Sequence, residues 1–226
     1  MCRIVHTFGD SHCNGAFESF KSIKRHHLGA ILCHSFGREK LNRLNIKDYD
    51  VKENDTCIFS FGEIDCRCHI KKHITQNKSY KNIIDEIVQN YFNAIEINIK
   101  QYNNLNIYVY NVVPVPQLFN TWNDEGYPFI GTDEERKSFV LYFNKKIEEN
   151  CKIYNFKFFN IYDKYIDKDG YLNKKYSDDH VHVANNKNKF IRKFLFKNKI
   201  LTFQDRIQLF YDNIFSLKKF KIVILN

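Results

Sequence analysis

Four short and nearly continuous apolar runs constrain the fold of this chain more than any other feature. They are rich in β-branched and aromatic residues, and each ends close to a polar or turn-forming stretch. Runs without polar alternation are typical of parallel strands that are covered on both faces. The runs are residues 3–8, 57–61, 106–113 and 156–161, and a weaker fifth strand is predicted at 29–33.

Helical patterns lie between these runs. Residues 80–102 repeat apolar side chains with a period close to 3.6, and residues 132–151 open with a capping-box signature, Thr132-Asp133-Glu134-Glu135. A shorter basic helix is predicted at 184–196. Strands that alternate with helices indicate βαβ units, so we predict an α/β fold: a three-layer α/β/α sandwich around a mostly parallel sheet of about five strands.

The chain of 226 residues is long enough for one well-packed domain. We predict that residues 1–200 form this domain and that residues 201–226 form a C-terminal extension packed on it. The extension has the pattern of a further helix at 203–217 and a short strand at 221–225.

Membrane and export signals are not expected. No run approaches the ~18 consecutive apolar residues of a membrane span, and the first residues do not resemble a signal peptide. We therefore predict no membrane partner and a cytoplasmic location. The seven cysteines, an odd number, fit free thiols in a reducing compartment.

The net charge of +9 favours an anionic partner such as a nucleic acid or an anionic glycan. However, neither an aromatic RNA-binding motif nor zinc-finger spacing accompanies the charge. A nucleic acid is therefore not the expected partner, and the sequence does not indicate the oligomeric state.

Two short motifs near the ends of the chain carry candidate chemistry. Gly9-Asp10-Ser11-His12 follows the first predicted strand, where a serine hydroxyl would lie at the rim of the sheet. By itself this motif also fits a simple turn with Ser11 as helix cap. Asp179 and His182 stand three residues apart near the other end, and a serine nucleophile needs such a base and an orienting carboxylate.

Together the motifs resemble the SGNH, or GDSL-like, hydrolase superfamily. The first family motif is Gly-Asp-Ser and the last is Asp-x-x-His, here Asp179-His180-Val181-His182. The resemblance covers residues 3 to about 196 and implies a flavodoxin-like sandwich. It also implies that Ser11 is the nucleophile, that His182 is the general base, and that Asp179 orients His182.

The inner motifs of the family are less well preserved. The oxyanion-hole glycine corresponds to Gly29 or Gly37, and we favour Gly37 because its setting is loop-like. The family's Gly-x-Asn-Asp reads Gly62-Glu63-Ile64-Asp65, and Ile64 cannot donate the hydrogen bond of the asparagine. Arg67 is the expected substitute. Asp10 and Glu63 complete the candidate substrate-binding residues.

Other sites are less well supported. Cys66, Cys68, His69 and His73 lie close together in the sequence, but Cys-x-Cys is not the usual zinc spacing. We therefore predict neither a metal nor a cofactor. Trp122, Tyr127 and Phe129 fit a stacking platform for substrate and ordinary loop packing equally well.

These observations predict a serine esterase that acts through an acyl-enzyme. The string at residues 61–67 resembles a variant found in SGNH-like proteins of glycan-modifying systems, which favours removal of an acyl group, most simply acetyl, from a carbohydrate or a small ester. The partner would be this small-molecule or glycan ester. The alternatives are an O-acyltransferase that uses the same triad and a catalytically weak glycan-binding module.

Overall fold

A five-stranded parallel sheet forms the centre of the computed structural model, which describes residues 3–15, 17–118, 126–201 and 207. The strand order β2-β1-β3-β4-β5 is that of flavodoxin-like sheets, and every neighbouring pair is parallel. The predicted fold class is confirmed. The strands are β1 (Val5–Gly9), β2 (Ile23–His27), β3 (Thr56–Ser60), β4 (Asn106–Tyr110) and β5 (Lys157–Phe159).

The apolar runs of the sequence correspond to β1, β3, β4 and β5, and every residue of β1 and β3 is buried. The fifth prediction, at residues 29–33, was wrong. The fifth strand is β2, whose sequence Ile-Lys-Arg-His-His buries only Ile23. Because β2 is an edge strand exposed along most of its length, it does not need an apolar run.

Helices cover both faces of the sheet, which gives the three predicted layers. Side chains of α2, α3 and α4 share one buried cluster with the sheet, while α5 and Phe17 and Phe20 belong to the cluster on the other face. The helices are α1 (His12–Gly15), α2 (Cys33–Glu39), α3 (Tyr80–Ile99), α4 (Asp133–Ile153) and α5 (Lys189–Lys197).

The ends of the helices follow their sequence signals to different degrees. The capping box predicted at the start of α4 is present, because Thr132 caps the Glu135 N–H and the Glu135 side chain returns to Thr132. The start of α5 differs from the prediction at residue 184. A 3₁₀ turn, Asn185–Lys187, precedes it, and the α-helix begins only at Lys189.

Three further predictions concern the C-terminal extension, membrane-spanning helices and the cysteines. The helix and strand predicted after residue 201 lie outside the described residues, apart from Ile207. Across the described ranges, no helix combines the length and the apolar character that a bilayer crossing requires. The six cysteines within the described part are all free and buried.

Candidate active site

Ser11 lies at the carboxyl edge of the sheet because β1 ends against β3. Gly9 is paired with Ser60, and a Cβ on Gly9 would lie 1.9 Å from the Ser60 carbonyl oxygen. Only glycine permits this close approach of the two strands. The chain then turns into α1, and Ser11 is left at the rim between strand and helix.

The hydroxyl of Ser11 reaches His182 although 171 residues separate them. Its oxygen lies 2.8 Å from His182 Nε2, and His182 Nδ1 lies 2.7 Å from Asp178 Oδ2. Because Nδ1–H is donated to the carboxylate, Nε2 of the neutral ring accepts the Ser11 proton. The three side chains therefore form a continuous hydrogen-bonded chain from carboxylate to hydroxyl.

The carboxylate of this chain is Asp178, whereas the sequence predicted Asp179. Asp178 Oδ1 accepts the backbone N–H groups of His180 at 3.0 Å and of His182 at 3.1 Å, which folds the segment into a tight turn. Asp179 has the left-handed φ of 67° needed within this turn, and its N–H is donated to Ser177. The compact turn brings the carboxylate four residues before His182, and not three, against the ring.

The charge of Asp178 is stabilised by its surroundings. Partial burial opposes ionisation, but the hydrogen bond and charge of His182, together with the two backbone N–H donors, lower the pKa of Asp178 to about 2. The carboxylate is therefore ionised at neutral pH, as an acceptor for an imidazole N–H must be.

His12 is a second histidine at the site and, unlike His182, it is buried; the sequence predicted no role for it. Its Nδ1 lies 3.1 Å from Asp10 Oδ1 and its Nε2 lies 3.3 Å from the Val181 carbonyl oxygen. Its ring centroid lies 4.7 Å from that of His182. In the sequence, only the position of His12 directly after Ser11 indicates that its side chain lies at the site.

The glycine favoured for the oxyanion hole is a packing residue. Gly37 lies within α2, and a Cβ there would approach the backbone of Asn90 and Tyr91 in α3 to about 3 Å. Gly29, the alternative, follows β2 at the same edge of the sheet as Ser11. The neighbouring Leu28 N–H is donated to the Gly9 carbonyl at 3.0 Å, which holds this loop beside the first motif.

Arg67 uses two of its N–H groups for partners within the protein. It is buried, its Nε donates to Glu63 Oε1 at 2.8 Å, and its Nη1 donates to the carbonyl of Tyr127. The guanidinium also lies over the ring of Phe129. Glu63 is buried as well, and its other oxygen, Oε2, has no hydrogen-bond partner among the described residues.

Two residues of Gly62-Glu63-Ile64-Asp65, the third motif of the family, have structural roles. Asp65 accepts the N–H groups of Cys33 at 2.6 Å and His34 at 3.1 Å, so it caps α2 from a distant part of the chain. Burial raises the pKa of Asp65 to about 7, against the effect of these hydrogen bonds. Ile64 is buried and offers no donor.

The sequence also offers an aromatic platform and a cluster of possible metal ligands. Phe129 packs between the guanidinium groups of Arg67 and Arg136, while Trp122 lies outside the described residues. Within the described ranges, no three His, Cys, Asp or Glu side chains are arranged to hold a metal ion.

A small pocket of about 300 Å³ opens beside the Ser11 hydroxyl. Two of its lining residues contact each other: Asn185 Nδ2 donates a hydrogen bond to Glu18 Oε2. The pocket thus presents carboxylate and carboxamide groups next to the hydroxyl. Its lining residues are Ser11, Asn14, Gly15, Glu18, Asp178, His182, Val183, Ala184 and Asn185.

Known proteins resemble this chain in structure rather than in sequence. No family model and no curated protein matches it. Among solved structures, a GDSL-like lipase from Bacteroides thetaiotaomicron is 16% identical with a TM-score of 0.60, and the match covers 88% of this chain and 87% of that chain.

Two further structures agree. A protein from Streptococcus pneumonia described in terms of platelet activating factor is 16% identical with a TM-score of 0.62, covering 88% of this chain and 84% of that chain. A lipase/acylhydrolase from Enterococcus faecalis is 12% identical with a TM-score of 0.53, covering 87% and 95%. The chain therefore has the fold of the GDSL-like lipases and acylhydrolases, and the resemblance to the SGNH superfamily is confirmed at the level of the fold.

Proposed function

We propose that this protein is a serine ester hydrolase that removes a short acyl group from a polar alcohol, with an acetylated carbohydrate as the preferred substrate. One observation carries the proposal: the hydrogen-bonded chain from Asp178 through His182 to Ser11 at the rim of a pocket. A nucleophile that contacts a base, which a third group orients, is the arrangement that acyl transfer requires.

In the first half-reaction, His182 Nε2 takes the proton of Ser11 as Oγ attacks the ester carbonyl carbon. The tetrahedral intermediate collapses when the bond to the leaving alcohol breaks, and His182 returns the proton to that alcohol. In the second half-reaction, His182 removes a proton from water, the hydroxide attacks the acyl-enzyme, and the carboxylic acid leaves as Ser11 regains its proton.

The oxyanion is best assigned to backbone donors. The N–H groups of Ser11 and Gly29 are the candidates, because Leu28 anchors the Gly29 loop beside β1. With Ile64 in place of an asparagine, a side-chain donor is missing from the third motif. One such donor is worth about 10²–10³ in rate in other acyl-transfer enzymes, so we expect a modest turnover number.

The choice of a short acyl group and a carbohydrate rests on the pocket. Its volume of about 300 Å³ must accommodate both the acyl group and the alcohol, which favours a short acyl group. Asn14, Glu18 and Asn185 can exchange hydrogen bonds with hydroxyl groups of a sugar. The carboxylates of Glu18 and Asp178 would repel an anionic ester, so a neutral sugar is favoured.

The proposal is tested with p-nitrophenyl acetate, butyrate and octanoate and with an acetylated neutral methyl glycoside, whose acetate release is followed by NMR. We expect acetate to be preferred over octanoate and Ser11→Ala to lower kcat/KM about 10³-fold or more. The exposed Ser22→Ala is the matched control and keeps the wild-type rate. Equal rates in wild type and Ser11→Ala, or a preference for octanoate, would contradict the proposal.

The same assay separates hydrolysis from transfer. Added free glycoside competes with water for the acyl-enzyme, so an acyltransferase forms acetylated glycoside at the expense of acetate. We expect acetate to remain the main product, because no described feature of the pocket excludes water.

A further inference from the structure

His12 occupies a buried position between the two motifs of the site. Its backbone N–H and its Nδ1 lie 2.9 and 3.1 Å from Asp10 Oδ1, and its Nε2 lies 3.3 Å from the carbonyl oxygen of Val181. Both acceptors are oxygen atoms that can only accept, so both ring nitrogens must carry a proton. The geometry therefore requires an imidazolium.

The surroundings of His12 support this charge. Burial opposes protonation, but Asp10 and, more weakly, Glu63 and the Val181 carbonyl raise the pKa of His12 to about 9. His182 faces the same ring at a centroid distance of 4.7 Å. Hydrogen bonds from a charged donor are stronger than neutral ones, so the contact with Val181 can anchor this segment at 3.3 Å.

Most of the described hydrogen bonds of residues 177–183, the segment that carries His182, run within the segment, and the contact of Asn185 with Glu18 follows it in the chain. The hydrogen bonds of Asp178 with His180 and His182 run within the segment, as does the bridge between Ser177 and Val183. They fix the shape of the turn but not its place relative to Ser11. The bond from His12 to Val181 joins the turn to the residue next to the nucleophile.

We propose that His12 is a positioning residue for His182: by holding the Val181 carbonyl, it keeps the imidazole within hydrogen-bonding distance of Ser11. This inference rests on the proposed function for its kinetic consequence, but its geometric content is independent of turnover. A displacement of about 1 Å of a catalytic group can cost about 10²-fold in rate, so such an anchor is significant.

Two variants test whether His12 acts through its hydrogen bond with Val181 or only through the space that its buried side chain fills. The amide nitrogen of glutamine can occupy the place of Nε2 and donate to Val181, whereas that of asparagine can occupy only the place of Nδ1. We expect His12→Asn to lower kcat about 10–100-fold with KM within about twofold, and His12→Gln to stay within about fivefold of wild type. His27→Asn, on the exposed end of β2, is the control.

A second readout does not need turnover. The ¹⁵N shift of His182 Nε2 reports its hydrogen bond with Ser11, and Ser11→Ala supplies the unbonded value. We expect His12→Asn to move the shift to that value and His12→Gln to retain the wild-type value. The proposal is overturned if the two variants behave alike, or if KM changes and kcat does not. An inactive wild type with the expected shifts would reject the proposed function and leave the positioning role supported.

Discussion

Asp178 and Asp179 are adjacent carboxylates with different surroundings. Asp178 accepts two backbone N–H groups with Oδ1 and the ring N–H of His182 with Oδ2. Asp179 adopts the left-handed conformation that closes the turn, and its N–H is donated to Ser177. At this scale the carboxylate that contacts His182 is set by the conformation of the turn, which residue spacing does not reveal.

Exchanging each carboxylate for its amide tests this assignment. We expect Asp178→Asn to lower kcat/KM for a short-chain ester about 10²–10⁴-fold, because an amide no longer holds His182 in the tautomer that accepts the Ser11 proton. Asp179→Asn should stay within about threefold of wild type, since asparagine also tolerates the left-handed conformation. The opposite ranking would restore Asp179 as the orienting residue.

Among the secondary-structure elements, the sequence predicted the interior of the sheet better than its edge. The apolar runs of β1 and β3 reflect burial on both faces, and the capping box of α4 is a local signal that survives folding. β2 and α2 do not have such signals. The start of α2 is capped by Asp65, more than 30 residues away, and no local pattern can encode a partner that only tertiary structure supplies.

The same limit applies to the residues of the site, because a sequence motif does not reveal partners that are distant in the chain. Ser11 and His182 each lie in a motif of fixed order and were predicted together. Gly37 and Arg67 were selected from their place in the sequence, but a glycine in a loop and a glycine at a helix crossing look alike without the neighbouring helix. No sequence pattern indicates the contact of His12 with Val181, because the two residues are 169 positions apart.

The crossing of α2 and α3 gives a prediction at the level of elements. A Cβ at Gly37 would lie 2.9 Å from Asn90 Cβ and 3.0–3.1 Å from backbone atoms of Asn90 and Tyr91, which cannot move without shifting the helix. We expect Gly37→Ala to lower the free energy of unfolding by about 1–3 kcal/mol, as overpacking does.

Urea denaturation of Gly37→Ala measures this cost. Arg38→Ala, an exposed substitution in the same helix, is the control and should change the free energy of unfolding by less than about 0.5 kcal/mol. An unchanged stability for Gly37→Ala would show that α2 and α3 do not approach each other this closely.

For the whole molecule the net charge is positive, whereas the charged side chains that line the pocket are carboxylates. Lys and Arg exceed Asp and Glu by 35 to 26, yet the pocket beside Ser11 is lined by Glu18 and Asp178 and by no lysine or arginine within the described residues. The attraction of anions to the whole protein and the selection of a substrate by the pocket are therefore separate properties. The positive charge belongs to the surface as a whole and does not identify the ligand of the pocket.

Acid sensitivity is a second property of the whole molecule. His6 Nδ1 lies 3.0 Å from His26 Nε2, and the His26 ring packs against Phe8 and Tyr49. Burial, with contributions from His6 and Lys24, lowers the pKa of His26 to about 4. Below pH 6.5 the unfolded chain binds a proton at this histidine that the folded protein does not, so stability falls as the pH decreases toward 4.

Comparison with a variant cancels the pH dependence of groups that do not contact His26, such as buried Asp65, whose raised pKa acts in the opposite direction in both proteins. A histidine whose pKa falls from 6.5 to about 4 loses about 2 kcal/mol between pH 7.5 and pH 5. We therefore expect the difference in the free energy of unfolding between wild type and His26→Gln to shift by about 2 kcal/mol in favour of the variant over this interval. Exposed His27→Gln should show no such shift, and a constant difference between wild type and His26→Gln would show that His26 is protonated equally in both states.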